Sequence, residues 1–250
     1  MGQYFLTDKI KPIINYAVTT SHTSADLIFG WTAFEIPKGV VTLKHFNMFK
    51  AGLDGVDANI KHMDLYFAKA VNGVAPSGLG VPNAGTTAAI MQTQRNNIIG
   101  IKEINDSYHK DAGALVAYNI WSSSYASLQE SDLILSGDPE YNSTQGYQTL
   151  WIGAFATESG DEFGTAVALD QAGNQAASTA AVQITTDGTD PRLCFAAGDI
   201  LIGSTLGPTM EVVSVDSATT LTVKNISEQI DDDEELVMQS PIQFQFGFEY

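Results

Sequence analysis

A chain of 250 residues with a formal charge of −17 repels phosphate, which argues against any nucleic-acid groove. Charged residues are only 16% of the chain, against the ~25% usual in globular domains, so Ser, Thr, Asn, Gln, Gly and Ala must cover much of the surface. Such a surface suits all-β proteins and subunits held against one another, and at this length the chain buries roughly 70–75% of its unfolded surface without a staple.

The opening "MGQYFLTDKI" has no basic stretch ahead of an apolar one, and Leu6 stands where myristoylation wants Ser or Thr. With no run of 18 apolar residues, the expectation is a soluble protein made in a cytoplasm, without membrane contact. The sequons at Asn105, Asn142 and Asn225 then read as chance matches.

Strand-like runs follow along the chain. "NYAVTTS" and "SADLIFGWTAFEI" come first, then "VVTLKHFNMF" (Val40 to Phe49) and "NIKHMDLYFAK" (Asn59 to Lys69), joined by the hairpin-type "KAGLDGVDA". In the second of that pair Met63, Leu65 and Phe67 share one face and His62, Asp64 and Tyr66 the other, a half-buried strand. "AAIMQTQ", "NIIGIKEI", "LVAYNIW", "DLILSG", "QTLWIGAFAT", "GTAVALD" and "AAVQITT" continue the series, separated by Gly, Pro, Asn and Asp clusters. The stretch from Asn105 to Ser131 is compatible with a short helix as well.

"TTDGTDPR" (Thr185 to Arg192) marks the expected boundary. After it come about five short strands, ending in "IQFQFGFEY", where Ile242, Phe244, Phe246, Phe248 and Tyr250 share one parity. The predicted fold is all-β: a β-sandwich or jelly-roll-like domain over residues 1–188, then a small SH3-like or OB-like barrel over 189–250. The terminal strand is expected to close that barrel, the other arrangement being addition to a neighbouring subunit's sheet edge.

The motifs of catalysis are missing. There is no GxxxxGK[ST], the glycines of "SGLGVPNAG" read as a surface turn, and "GSTLG" (Gly203 to Gly207) is a hairpin turn with no nucleophile elbow. His22, His45, His62 and His109 form no HxH or HExxH pair; convergence of His45, His62 and Asp64 is the one cluster that folding would have to create. The acidic run Asp231 to Glu235 and "DGVDAN" (Asp54 to Asn59) lack EF-hand spacing, and Cys194 has neither a disulfide partner nor a metal-site neighbour. No enzyme activity, cofactor or metal is expected. Trp31, Trp121 and Trp151 with Tyr118, Tyr125, Tyr141 and Tyr147 are either core or a sugar-stacking platform.

"AAGDILIGSTLGPTMEVVSVDSATTLTVKN" (Ala196 to Asn225), with its acidic turn and apolar last strand, resembles small β-barrel segments in virion structural proteins of tailed bacteriophages, those of marine phages and cyanophages most of all. "IPKGVVTLKHFNMFKAGLDG" and "HMDLYFAKAVNGVAPSGLGVPNAG" look like the β-sandwich part of such proteins. The resemblance implies a capsid decoration or cement protein on the outer surface of the head, assembled in the host cytoplasm, with a tail, neck or fibre component as the alternative. It implies the major capsid protein as partner and self-association, as a trimer. The contacts expected are Phe246, Phe248 and Tyr250 of the terminal strand, with an N-terminal arm containing Tyr4 and Phe5.

Overall fold

The computed structural model describes residues 2–14, 19–51, 62–83, 88–105, 109–111, 117–122, 133–141, 146–204 and 207–250, with 88–89, 109–111 and 117–122 described by their backbone alone. The chain is nearly all β. Strands β1 (Tyr4–Leu6), β2 (Leu27–Pro37), β3 (Val40–Lys50), β4 (Met63–Ala68), β5 (Ile98–Ile104), β6 (His109–Asp111), β7 (Ala117–Ser122), β8 (Leu133–Ser136) and β9 (Tyr147–Ala156) build two sheets, which β16 (Ile242–Glu249) completes. One sheet runs β1-β16-β3-β7-β6, with β8 also paired to β3, and the other runs β2-β9-β4-β5. Setting aside the β6–β7 hairpin, one face orders first, last, third and sixth of the eight sandwich strands, and the other second, seventh, fourth and fifth. That is the double Greek key of a jelly roll.

Alternation on β16 explains why the sandwich closes. Phe244, Phe246 and Phe248 are fully buried. They meet Phe29, Phe34 and Phe67 of the facing sheet at ring separations such as 5.7 Å for Phe29 with Phe244, 5.3 Å for Phe34 with Phe246 and 5.5 Å for Phe67 with Phe246. Part of the outside of the second sheet is covered as well. Leu79 packs there with Leu27 and Phe155, and Trp31, Tyr66 and Met91 adjoin them. Gly153 permits this, since a Cβ there would meet Leu79 Cδ1 at 2.8 Å and the Trp31 ring at 3.0 Å.

The remaining strands, β10 (Val167–Leu169), β11 (Val182–Asp187), β12 (Ile200–Gly203), β13 (Thr209–Val215), β14 (Thr220–Lys224) and β15 (Glu235–Met238), close a barrel in the order β10-β11-β14-β13-β12-β15. Val167, Ile184, Leu201, Val212, Leu221, Val223 and Leu236 fill it, with Cys194 at its margin.

Several expectations are corrected. The barrel begins at Val167, ahead of the boundary at 188, and the terminal strand lies in the sandwich, because its phenylalanines match the facing aromatic sheet. "KAGLDGVDA" joins no hairpin: β3 and β4 belong to opposite sheets, although most of the connection lies outside the described residues. "AAIMQTQ" contains helix α1 (Ala88–Gln94), where Ala, Met and Gln favour helix over strand. A second helix, α2 (Pro191–Cys194), is capped by Asp190, whose side chain accepts from the Arg192 N–H, with Pro191 opening the turn. In the Asn105 to Ser131 stretch the described part forms β6 and β7.

Candidate interaction surface

The N-terminal segment runs antiparallel along the whole of β16. Gln3 and Tyr250 exchange two backbone bonds of 3.1 and 3.0 Å, the Thr7 N–H donates to Phe246 O at 2.9 Å, and Ile10 and Phe244 exchange two of 2.8 Å. Thr7 therefore faces Phe246 while Ile10 faces Phe244, one residue more than a regular ladder allows, so the chain bulges at Asp8 and Lys9. The ladder acceptor lost there is replaced by a side chain: the Phe246 N–H donates to Thr7 Oγ1 at 3.0 Å. Gln245 Nε2 donates to Thr7 O at 3.2 Å.

This ladder fixes what β1 shows to solvent. Phe5 turns inward against the core and meets Tyr147 at a ring separation of 5.8 Å. Tyr4 and Leu6 turn outward, 75% and 57% exposed. Across the sheet Leu6 stands beside Gly247, and Gly247 beside His45; Tyr4 stands beside Glu249, then Thr42, then Ile134. Without a side chain at Gly247 the row sinks into a depression of about 620 Å³, walled by Tyr4, Leu6, His45 and the pair Lys44 Nζ and Glu249 Oε2, 3.6 Å apart. Val40 and Ile134, 65% and 64% exposed, carry the apolar character further along the same face. Beside it, where the edges of both sheets come together, a groove of about 410 Å³ lies between the segment from Phe5 to Lys11 and the segment from Thr32 to Glu35.

Of the expected contact residues, Tyr4 and Tyr250 reach solvent, Tyr250 at 45% exposure. Phe246 and Phe248 do not: both have zero exposure, because they fill the molecule's own core. Phe5 is half-buried, and the N-terminal segment is an edge strand and not a loose arm. Leu6, Gly247, Val40 and Ile134 escaped sequence reasoning. Parity within "QYFLTDKI" is the signal for Leu6, and it becomes readable once Phe5 is known to point inward.

His45 and His62 do not converge, and the side chain of His109 lies outside the described residues. His45 lies on the outer face of the first sheet and His62 precedes β4 of the second, with Nδ1 3.3 Å from Glu158 Oε2. His22 is buried edge-on against Phe163, ring centroids 5.0 Å apart, and that burial holds its pKa below the usual histidine value. Among the described residues no group of three His, Cys, Asp or Glu side chains could hold a metal. The acidic run folds into a turn tied to the segment before β11: the side chains of Asn174 and Gln229 donate to Asp231 Oδ1 at 3.0 and 2.8 Å, and the Gln171 N–H donates to Asp232 Oδ1 at 3.0 Å. "DGVDAN" lies outside the described residues.

Trp31, Tyr141 and Trp151 do meet on the outer face of the second sheet: Trp151 is core, 7% exposed, and the half-buried Trp31 and Tyr141 pack against it, the Tyr141 ring centroid 5.0 Å away. The side chains of Tyr118, Trp121 and Tyr125 are outside the described residues.

No family model matches the chain, and no curated protein matches it. Among solved structures, the crystal structure of Cucumber Necrosis Virus aligns with 99% of this chain and 95% of that one, at 12% identity and a TM-score of 0.20. That score is too low to indicate a common fold.

Proposed function

We propose that the protein is a non-enzymatic virion structural component, a decoration protein of a tailed bacteriophage bound over the major capsid protein lattice on the outside of the head. The observation that carries the reading is the jelly-roll strand order with one bare apolar face. Jelly rolls serve as viral capsid modules, lectin domains and cupins, so the fold narrows the role without choosing it. Here the interior is packed with phenylalanine and part of the second sheet is covered by Leu79 and its neighbours, which favours the outer face of the first sheet for recognition. The charge of −17 fits a surface turned away from packaged DNA. The sequence resemblance points the same way. Bound to the mature lattice and not to its precursor, the protein stabilises the expanded shell by mass action.

The test is copy number in purified particles, by quantitative peptide mass spectrometry normalised to the portal protein. Hundreds of copies per particle are expected. A handful would move the protein to the tail, neck or fibre, a second reading favoured by the Tyr141 and Trp151 pair beside a cleft of about 270 Å³; that reading predicts glycan binding lost in Tyr141→Ala. Absence from particles overturns both.

A further inference from the structure

Each sandwich sheet has two edges, and the chain treats them unequally. The edge strand β2 carries Glu35 and Pro37, β5 carries Lys102 and Glu103, and β6 carries His109, Lys110 and Asp111. Charges and proline on an edge are the usual protection against a second strand docking there. β8, which pairs with β3 alone, reads Leu-Ile-Leu-Ser and lacks them too, but it packs over β5, with Leu133 against Gly100. At the opposite end of that sheet the edge strand β1 reads Tyr-Phe-Leu and also has neither charge nor proline. Protection resumes only past it, at Asp8, Lys9, Lys11 and Pro12.

The hydrogen-bond parity of β1 says what the open side offers. Gln3 and Thr7 give their backbone groups to β16. Antiparallel alternation then turns the N–H and C=O of Tyr4 and Leu6 away from β16, along an edge that no further strand among the described residues covers.

We propose that this edge pairs with the same edge of a second copy of the chain, antiparallel about a two-fold axis through Phe5. The sequence around that axis suits its own reverse. Tyr4 falls opposite Leu6 of the second copy, Phe5 opposite Phe5, Gln3 opposite Thr7 and Gly2 opposite Asp8. The groups that face outward are the ones this register brings together, so each Tyr4–Leu6 pair exchanges two backbone hydrogen bonds. Tyr4 and Leu6, exposed on one face, cover each other across the seam.

Within the paired N-terminal segments no acid falls opposite an acid: Asp8 meets Gly2, over which the Glu249 carboxylate lies, paired with Lys44. What favours a second copy, against an overall charge that opposes self-association, is that the outward backbone groups and the two exposed apolar side chains of β1 match their own reverse. An isologous contact of this kind closes as a dimer and leaves no edge for further growth. The two first sheets then run on as one, and the two Gly247 depressions lie on a single continuous face. The pairing belongs to the free chain and stands whether or not the protein is found on a particle.

Sedimentation equilibrium on the full chain is the test. A reversible dimer of the 26.8 kDa subunit is expected, tightening as salt rises, because screening relieves the repulsion between two copies of charge −17. Leu6→Pro removes an N–H that points away from β16, and Tyr4→Lys places a charge on the edge; each should weaken the dimer roughly tenfold or more while the circular dichroism spectrum is kept. Phe5→Cys, on the axis, should give a disulfide-linked dimer on oxidation, whereas Thr7→Cys should not; native Cys194 is buried and does not compete. A chain that stays monomeric at high concentration overturns the proposal. So does a trimer, or a dimer indifferent to both edge variants, either of which would place the contact on another surface.

Discussion

At the N-terminal bulge, the hydroxyl of Thr7 stands in for a ladder carbonyl. Its oxygen takes the Phe246 N–H at 3.0 Å, and Thr7 is 5% exposed, so no water is at hand to replace it. Thr7→Val keeps the shape and leaves a buried donor unsatisfied. A loss of about 1–3 kcal/mol is expected in urea denaturation, with Thr7→Ser retaining most of the stability. A second residue-scale test concerns charge. Asp64 and Glu103 stand directly opposite each other on β4 and β5. Burial first, and the Glu103 charge second, raise the Asp64 pKa above the usual aspartate value. The folded state thus holds this proton more tightly than the unfolded one. The cost is full above the folded pKa and is relieved as pH falls through it toward the unfolded value. Asp64→Asn should therefore stabilise the protein at pH 7 by a few tenths to about 1 kcal/mol, the screened range for half-exposed like charges. The difference between variant and parent should shrink toward about pH 4, the ordinary aspartate range. A gain independent of pH would show that the penalised Asp64 charge is not its origin.

At the scale of elements, β16 separates what the sequence discloses from what it withholds. Period-two alternation correctly places Phe244, Phe246 and Phe248 on one buried face. It says nothing about which strands flank β16, since any sheet with an apolar face satisfies the same pattern. The true neighbours, β1 and β3, are far away in the chain, and no local signal announces them. The same gap hid the interaction surface: Phe246 and Phe248 look like contact residues only while their core is unknown, and Leu6 looks like core until its parity is fixed by β16. Hairpin logic failed after β3 for a related reason, because a jelly roll crosses between sheets where a meander would turn back. Local preference did carry β12, β13 and β14, which pair with their immediate neighbours in sequence. The contrast is measurable. Phe246→Ala should cost about 3–5 kcal/mol, as a fully buried aromatic does, while Tyr250→Ala at the exposed end should stay within about 0.5 kcal/mol.

For the whole molecule, the barrel is an insertion between β9 and β16, so the sandwich is discontinuous in sequence. Its two chain crossings lie side by side, since Val167 pairs with Leu236 and Ala168 with Glu235 at the barrel's entry and exit. Neighbouring ends are what a tolerated insertion requires. The modules also share a joint. Val237 of β15 belongs to the sandwich core and Ile202 of β12 packs against it, while Ala51 packs against the barrel core. The Ile14 N–H donates to Gln239 O at 3.0 Å, and the Gln239 N–H donates to Ile200 O at 2.9 Å. Cutting at residue 188, where composition changes, would therefore damage both modules: the first fragment loses the strand between β1 and β3 and keeps β10 and β11 without β14 and β15. Replacing residues 167–238 by a short Gly/Ser linker keeps every sandwich strand and gives up only the joint. The spliced chain should melt cooperatively with dispersed amide resonances, below the parent temperature for want of Val237. The 1–188 fragment should show neither property. Cooperative melting of 1–188 at the parent temperature would mean that β16 is dispensable, which its buried phenylalanines forbid.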